Sequence, residues 1–173
     1  MKREVNVWDY AGHIMKNIGK GILLTTAANG QVDTMTIGWG TIGVQWAKPI
    51  FIAFVRESRY TKQLLEANGE FTVNVPLGQV DKEIIGICGT KSGRDMDKFE
   101  VLNLTKEDGL AVSVPGIKEL PLTLECKVIY KQDQEPSAIA PEHIARFYAE
   151  GTPNENDFHT AYYGEITAAY IIE

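Results

Sequence analysis

The apolar residues of this chain fall mainly into short runs rich in β-branched and aromatic side chains, separated by glycine, proline and asparagine. Residues 21–28 (GILLTTAA) form one such run, and Asn29-Gly30, a strong two-residue hairpin signal, joins it to a second run. Further runs of the same kind follow along the chain. The pattern predicts strands near residues 21–28, 32–38, 49–55, 70–75, 121–132 and 160–172.

Helical spacing of apolar residues is confined to a few segments. Residues 59–68 place leucines on one side and end before a glycine, and residues 79–88 carry isoleucines at near-helical spacing. A third short helix is predicted in 141–150 (PEHIARFYAE), which has proline in its first turn. Because few strands are joined by crossover helices, we expect a mainly β, α+β fold. The expected architecture is an antiparallel barrel with peripheral helices in one domain, residues 1–173.

Composition and charge narrow the classes of function. A formal net charge of −6 argues against nucleic acid and anionic membranes as main partners, because both require a basic surface. No apolar run approaches the roughly twenty residues of a membrane span, and the first residues lack the apolar centre of a signal peptide. We therefore expect a cytoplasmic protein. The two cysteines and three histidines are scattered without ligand spacing, so no metal site is predicted.

The glycines of TIGWGTIG, residues 36–43, have the G-x-G-x-x-G spacing of a dinucleotide-binding turn, but their context excludes that turn. A dinucleotide fold needs a helix that opens at the third glycine. Here only five residues separate Gly43 from Pro49, and another strand follows. The glycines beside Trp39 instead let a ligand approach the backbone closely, which suits a flat heterocycle. Core packing of Trp39 is the alternative.

A candidate anion site lies at the start of the helix predicted in 59–68. Ser58 is the predicted N-cap, and the first-turn amides then point outward at the positive end of the helix dipole. Two guanidinium groups and three hydroxyls surround them, a combination that binds phosphate. The residues are Arg56, Ser58, Arg59, Tyr60 and Thr61. The alternative is that Ser58 only caps the helix and the arginines are solvated.

A second basic segment, CGTKSGRDMDKF, occupies residues 88–99. It resembles the end of a Walker A motif, but Thr90 separates the glycine from the lysine and breaks the pattern. Its basic residues alternate with aspartates. A self-paired surface loop is therefore the alternative to a ligand-binding loop.

Four segments in combination resemble the flavin reductase-like, FMN-binding split-barrel family, closest to its flavoredoxin branch. They are DTMTIGWGTIG, ESRYTKQLLEANGEFTVNV, CGTKSGRDMDKF and YYGEI. The resemblance spans about residues 15–172. It implies a six-stranded antiparallel split barrel that forms a homodimer, with FMN at or near the subunit interface.

The resemblance also assigns roles to residues of this chain. The flavin ring is expected to lie against the loop after the second strand, and the phosphate at the start of the helix. The basic loop is expected near the flavin, contributed by the same subunit or by the partner subunit. The residues are Thr36, Trp39, Gly40 and Thr41 for the ring, Arg56, Ser58, Arg59, Tyr60 and Thr61 for the phosphate, Lys91, Ser92 and Lys98 in the basic loop, and Tyr163 beside the cofactor. This chain departs from the family's pattern at Asp33, where relatives often carry Asn.

The composition of the strand predicted in 49–55 supports the expectation of a homodimer. Apolar residues occupy both of its faces, since Ile50, Ile52 and Phe54 alternate with other apolar side chains. Burial on both sides is typical of a strand that lies between a core and a second layer. We expect that layer to be a second subunit or the flavin.

Three functions follow from the resemblance. The first is an FMN-dependent oxidoreductase, a flavin reductase that takes electrons from NADH or NADPH. The second is a flavoredoxin-like electron carrier that exchanges electrons with a redox protein partner, and the third is a non-catalytic flavin-binding module. The sequence shows no acid–base dyad or nucleophile, and a flavin enzyme needs neither because the cofactor carries the redox chemistry.

Overall fold

The computed structural model describes residues 1–173, and its main element is an antiparallel sheet of eight strands. A short two-stranded ribbon, β7 with β8, lies apart from it. The strands are β1 (Lys2–Glu4), β2 (Ile22–Ala28), β3 (Gln31–Ile37), β4 (Gly40–Gln45), β5 (Lys48–Arg56), β6 (Glu70–Val75), β7 (Lys106–Glu107), β8 (Gly116–Ile117), β9 (Leu122–Asp133) and β10 (His159–Ile172).

Five helices surround the sheet. They are α1 (Val7–Ile18), α2 (Tyr60–Asn68), α3 (Lys82–Thr90), α4 (Lys98–Val101) and α5 (Pro141–His143), and a π-helical turn (Ile144–Tyr148) follows α5. The helices predicted in 59–68 and 79–88 correspond to α2 and α3. The one predicted in 141–150 divides into α5 and the π-helical turn. None of the helices has the length and apolarity needed to cross a bilayer.

The strand order shows how the sheet closes. It runs β3-β2-β6-β9-β10-β5-β4, and β1 pairs with the far end of β10. The two ends of this path, β3 and β4, are consecutive in the chain and are joined only by Gly38 and Trp39. The sheet must therefore curl until its two edges come together, which makes an open barrel. This confirms the predicted antiparallel barrel with peripheral helices.

The strand count differs from the expected six because β1 and β4 were not predicted. The glycine pattern predicts a loop that includes Gly40–Gln45, but this segment forms β4 and pairs with β5 along its whole length. The turn between them places Trp46 and Ala47 at positive φ, 51° and 58°. Such hairpin turns usually carry Asn or Gly at these positions, so Trp46-Ala47 is not recognisable as a turn from the sequence.

Two clusters of buried side chains hold the elements together. The larger cluster fills the barrel and includes alternate residues of β5, namely Phe51, Ala53 and Val55. The smaller one lies outside the barrel wall, where Ile84 and Cys88 of α3 and Phe99 of α4 pack with residues of β2 and the following loops. This second cluster matters for the site because it fixes the segment between α3 and α4 against β3.

Candidate functional site

Two adjoining cavities open where β3, β5 and the start of α2 meet. The first, about 280 Å³, has aromatic walls and is called the aromatic cavity. The second, about 140 Å³, lies between the start of α2 and residues 90–94 and is called the cationic cavity. Met35 and Arg59 line both, so the cavities are neighbours along one groove.

Trp39 forms a wall of the aromatic cavity. Its ring packs edge-on against Phe147 at a centroid distance of 5.1 Å and lies tilted over His159 at 4.7 Å. The residue keeps 36% of its surface exposed. The alternative of core packing is therefore wrong for Trp39, which stands at the cavity rim. Thr36 also lines this cavity, and its hydroxyl donates to the carbonyl of Ile85 at 2.7 Å, which ties β3 to α3.

His159 is a residue of this cavity that the sequence did not reveal. It is buried at the start of β10, and its Nδ1 lies 2.8 Å from the Tyr148 hydroxyl. Burial, with the positive charge of Arg56, lowers the pKa of His159 to about 4. The imidazole is thus neutral at pH 7 and presents a polar ring to the cavity without a charge. Nothing in the spacing of the histidines could have identified it.

The cationic cavity is built on the start of α2. The helix begins at Tyr60, with Arg59 as an N-cap that makes no side-chain capping bond, so the prediction of Ser58 as N-cap was wrong. The backbone N–H groups of Tyr60 and Thr61 have no hydrogen-bond partner in the chain. They therefore present two free donors at the positive end of the helix.

Arg59 stands beside these free amides. One Nη donates to the carbonyl of Gly89 at 2.8 Å, which fixes the guanidinium in place. Its Nε is buried and has no partner. Burial, followed by the nearby charge of Arg56, lowers the pKa of Arg59 below its usual value. A buried donor without an acceptor is costly, so this group is suited to an incoming anion.

Arg56 and Ser58 have a different environment from the one predicted. Ser58 donates its backbone N–H at 3.0 Å and its hydroxyl at 2.6 Å to the carboxylate of Asp157. Arg56 donates to Asn154 at 2.6 Å and lies 3.4 Å from the same carboxylate. Asp157 thus supplies an internal anion to these two residues. The free donors of the cationic cavity come instead from Arg59 and the following amides.

The other predicted phosphate residues line the same cavity but have internal partners for their hydroxyls. Thr61 donates to the sulfur of Met35, and the Tyr60 hydroxyl donates to the side chain of Gln31. Each therefore offers its backbone amide rather than its hydroxyl to a ligand.

The basic loop reaches the cationic cavity through Lys91 and Ser92, which line it. Lys98 also borders the cavity, but its ammonium is buried, 3.1 Å from Asp33, and donates to the carbonyl of Thr34 at 2.7 Å. Burial raises the pKa of Asp33, and Lys98 opposes that shift. The unusual Asp33 is therefore paired by Lys98, which ties the loop to β3.

Three predicted site residues do not line either cavity. Gly40 and Thr41 belong to β4, and Tyr163 lies on β10 with its ring 5.0 Å from that of Tyr130. In the strand register, Thr41 pairs with Ile52 and Ile52 with Tyr163, so these side chains share the outer face of the sheet. Within one chain these three residues therefore lie outside the lining of the groove.

The chain matches one known family over nearly its whole length. The family described as "Flavin reductase like domain" matches residues 15–173. The protein therefore belongs to the flavin reductase-like family.

The chain is also similar to individual proteins and solved structures. An uncharacterized protein of Archaeoglobus fulgidus is 35% identical over 97 residues, which cover 56% of this chain and 54% of that protein. The crystal structure of flavoredoxin from Methanosarcina acetivorans is 27% identical, with a TM-score of 0.66, and the match covers 88% of this chain and 68% of that one. An FMN-binding domain of a flavin reductase-like enzyme from Shewanella baltica has a TM-score of 0.67 at 16% identity and covers 99% of this chain and 77% of that chain. The last of these likenesses concerns the fold alone.

Proposed function

We propose that the protein binds FMN, with the flavin ring in the aromatic cavity and the phosphate in the cationic cavity. The observation that carries the proposal is the buried, unpartnered Nε of Arg59 beside the free amides at the start of α2. Family membership supports a flavin as the ligand. These residues suit the phosphate of FMN because anions bind where free amides, a helix dipole and a guanidinium converge.

The charge distribution also favours an anion at this position. The chain carries a formal net charge of −6, yet Arg59, Lys91 and Arg94 all line the cationic cavity. The one acidic residue that lines it, Asp33, is paired with Lys98. A local positive field in an acidic protein concentrates anionic ligands there.

We further infer that the protein is an oxidoreductase, a flavin reductase that uses NADH or NADPH. A bound flavin supplies the two-electron redox chemistry. The residues of the chain hold and orient it: Trp39 and Phe147 bound the ring space, and neutral His159 offers a hydrogen-bonding ring without adding charge. A flavoredoxin-like electron carrier with a redox protein partner is the second candidate, favoured by the 27% identity to a flavoredoxin.

Calorimetry with two flavins tests the phosphate site. We expect FMN to bind more tightly than riboflavin, because riboflavin lacks the phosphate that would satisfy Arg59 and the two free amides. Titration of the flavin-free protein with each ligand measures the difference. Equal affinity for both would show that the cationic cavity does not take part in binding.

We also propose that the protein is a homodimer, joined through the outer face of β4, β5, β9 and β10. Exposed aromatic residues cluster there: Trp46 is 60% exposed and Tyr130 is 40% exposed, with ring centroids 6.1 Å apart. Tyr163 and the half-buried Ile52 continue this aromatic face. Apolar patches of this kind mark protein interfaces.

Light scattering tests the dimer. We expect a dimeric mass at micromolar concentration, and we expect Tyr130→Asp to shift it towards the monomer because a charge would be buried in the interface. Val101→Asp is the matched control, since Val101 is 56% exposed on α4, away from the aromatic face. A monomeric wild-type mass would contradict the proposal.

A further inference from the structure

Three side chains are joined by hydrogen bonds behind the aromatic cavity. Tyr148 lies in the π-helical turn, and its hydroxyl is 2.8 Å from Nδ1 of His159 and 3.1 Å from Oε1 of Gln134. Packing fixes the position of this hydroxyl, because Tyr148 is buried and its ring stacks on that of Phe158 at a centroid distance of 4.6 Å. Of the three bonded residues, only His159 lines the aromatic cavity.

The orientation of the Gln134 amide is set by the backbone. Its Oε1 accepts the backbone N–H of His159 at 2.9 Å, so the atom at this position is the oxygen and not the nitrogen of the amide. The backbone N–H of Gln134 in turn donates to the carbonyl of His159 at 3.0 Å, which holds the two residues side by side where β9 ends and β10 begins. Oε1 therefore presents an acceptor to the Tyr148 hydroxyl.

The one hydroxyl proton of Tyr148 decides the tautomer of His159. Burial raises the pKa of Tyr148, so the hydroxyl keeps its proton at neutral pH. If it donated to Nδ1, the Tyr148 oxygen and Oε1 of Gln134 would face each other as two acceptors with no proton between them. If it donates to Oε1, the Tyr148 oxygen accepts the proton of Nδ1–H and both contacts are satisfied. The contacts therefore favour the second arrangement.

The other ring nitrogen of His159 then carries no proton. A neutral imidazole has one N–H, so protonation of Nδ1 leaves Nε2 as an acceptor. Nε2 makes no hydrogen bond within the chain and is not sealed from solvent. Because His159 lines the aromatic cavity, Nε2 offers this lone pair to a molecule bound there.

We propose that Tyr148 and Gln134 are positioning residues that hold His159 in its Nδ1–H tautomer, so that Nε2 accepts a hydrogen bond from an N–H of the ring bound in the aromatic cavity. This inference rests on the proposed function, which assigns the flavin ring to that cavity. The oxidised flavin ring has one N–H group, and an acceptor suits that group. The opposite tautomer would set an N–H against it.

Nitrogen-15 NMR of the flavin-free protein tests the tautomer, because protonated and unprotonated ring nitrogens have well-separated shifts. We expect a protonated Nδ1 and an unprotonated Nε2 for His159. Gln134→Met leaves Nδ1 as the only acceptor for the Tyr148 hydroxyl, so the proton of the ring should move to Nε2. Tyr148→Phe removes the partner of Nδ1–H and should move the proton in the same direction.

Riboflavin binding tests the effect on the ring apart from the phosphate. In Gln134→Met, the Kd of riboflavin and that of FMN should rise by the same factor, about two- to tenfold, the usual loss for one neutral hydrogen bond. Tyr10→Phe is the matched control. It removes the hydroxyl of a half-buried tyrosine on α1, outside both cavities, and should change neither the tautomer nor the affinities.

The two measurements separate this inference from the proposed function. An unprotonated Nδ1 in the wild-type protein would overturn the inference, and so would a proton that stays on Nδ1 in both Gln134→Met and Tyr148→Phe. Unchanged flavin affinities in a variant whose tautomer has inverted would overturn it as well. If the wild-type protein binds neither flavin, the proposed function fails, whereas the tautomer of the flavin-free protein decides the positioning role by itself.

Discussion

Replacing Arg59 with alanine is expected to weaken FMN binding by about 1.5–3 kcal/mol, the usual range for hydrogen bonds to charged groups. That corresponds to roughly a ten- to hundredfold higher Kd. The large effect follows from burial: the guanidinium is held by Gly89, and its free Nε is shielded from water that could replace the phosphate contact. Riboflavin affinity should hardly change because riboflavin has no phosphate. Calorimetry with both flavins measures the two effects on the same variant.

The control for Arg59→Ala is Arg3→Ala. Arg3→Ala removes an arginine from an exposed ion pair with Glu173 and should leave both flavin affinities unchanged. If Arg59→Ala lowers FMN and riboflavin affinity equally, Arg59 belongs to the ring site or to the fold. The phosphate would then lie elsewhere.

Lys98→Met is expected to lower the free energy of unfolding by about 3–5 kcal/mol, the typical cost of leaving one partner of a buried ion pair without the other. Both side chains are almost fully buried, 2% exposed for Lys98 and 4% for Asp33, so water cannot replace the lost ammonium. The Asp33→Asn/Lys98→Met double variant should recover most of the loss because it buries no charge. Urea denaturation of the two variants measures the difference, and equal destabilisation would contradict this view of the pair.

The pH dependence of Lys98→Met follows from the same carboxyl group. Burial already raises the pKa of Asp33, and removal of Lys98 takes away the main opposing charge. A carboxyl whose folded pKa exceeds its unfolded value binds its proton more tightly in the folded state. The stability deficit of Lys98→Met should therefore shrink as the pH falls from above the folded pKa towards the unfolded one. A deficit that grows with acidification would contradict this assignment.

The barrel could be predicted from the sequence because most strands carry their own local signals. Of the elements that were not predicted, β4 had misleading signals. β4 begins within a glycine pattern typical of a different ligand turn, and its hairpin uses Trp46-Ala47, which no turn rule favours. Helix α1 did carry a usable signal, since Asn6 caps it and Ile14 and Ile18 are buried at helical spacing.

Some contacts of the candidate site are also local in the sequence, whereas others join residues that are far apart in it. Arg59 and the start of α2 form a local unit, so the sequence could indicate an anion site there. The partners that modify it come from far along the chain: Asp157 binds Ser58 from 99 residues away, and Asp33 lies 65 residues from Lys98. His159 enters the aromatic cavity only because β10 pairs with β5. Such contacts depend on the sheet register, which a local pattern does not contain.

Anaerobic stopped-flow reduction of the FMN-loaded protein tests the central claim most directly. The protein is mixed with NADH or NADPH, and the flavin absorbance is followed, with dithionite as the control reductant. A flavin reductase of the kind proposed should lose its flavin absorbance rapidly with at least one of the two nucleotides. Absorbance that persists with both nucleotides, while dithionite still reduces the flavin, would contradict the reductase and favour the electron carrier.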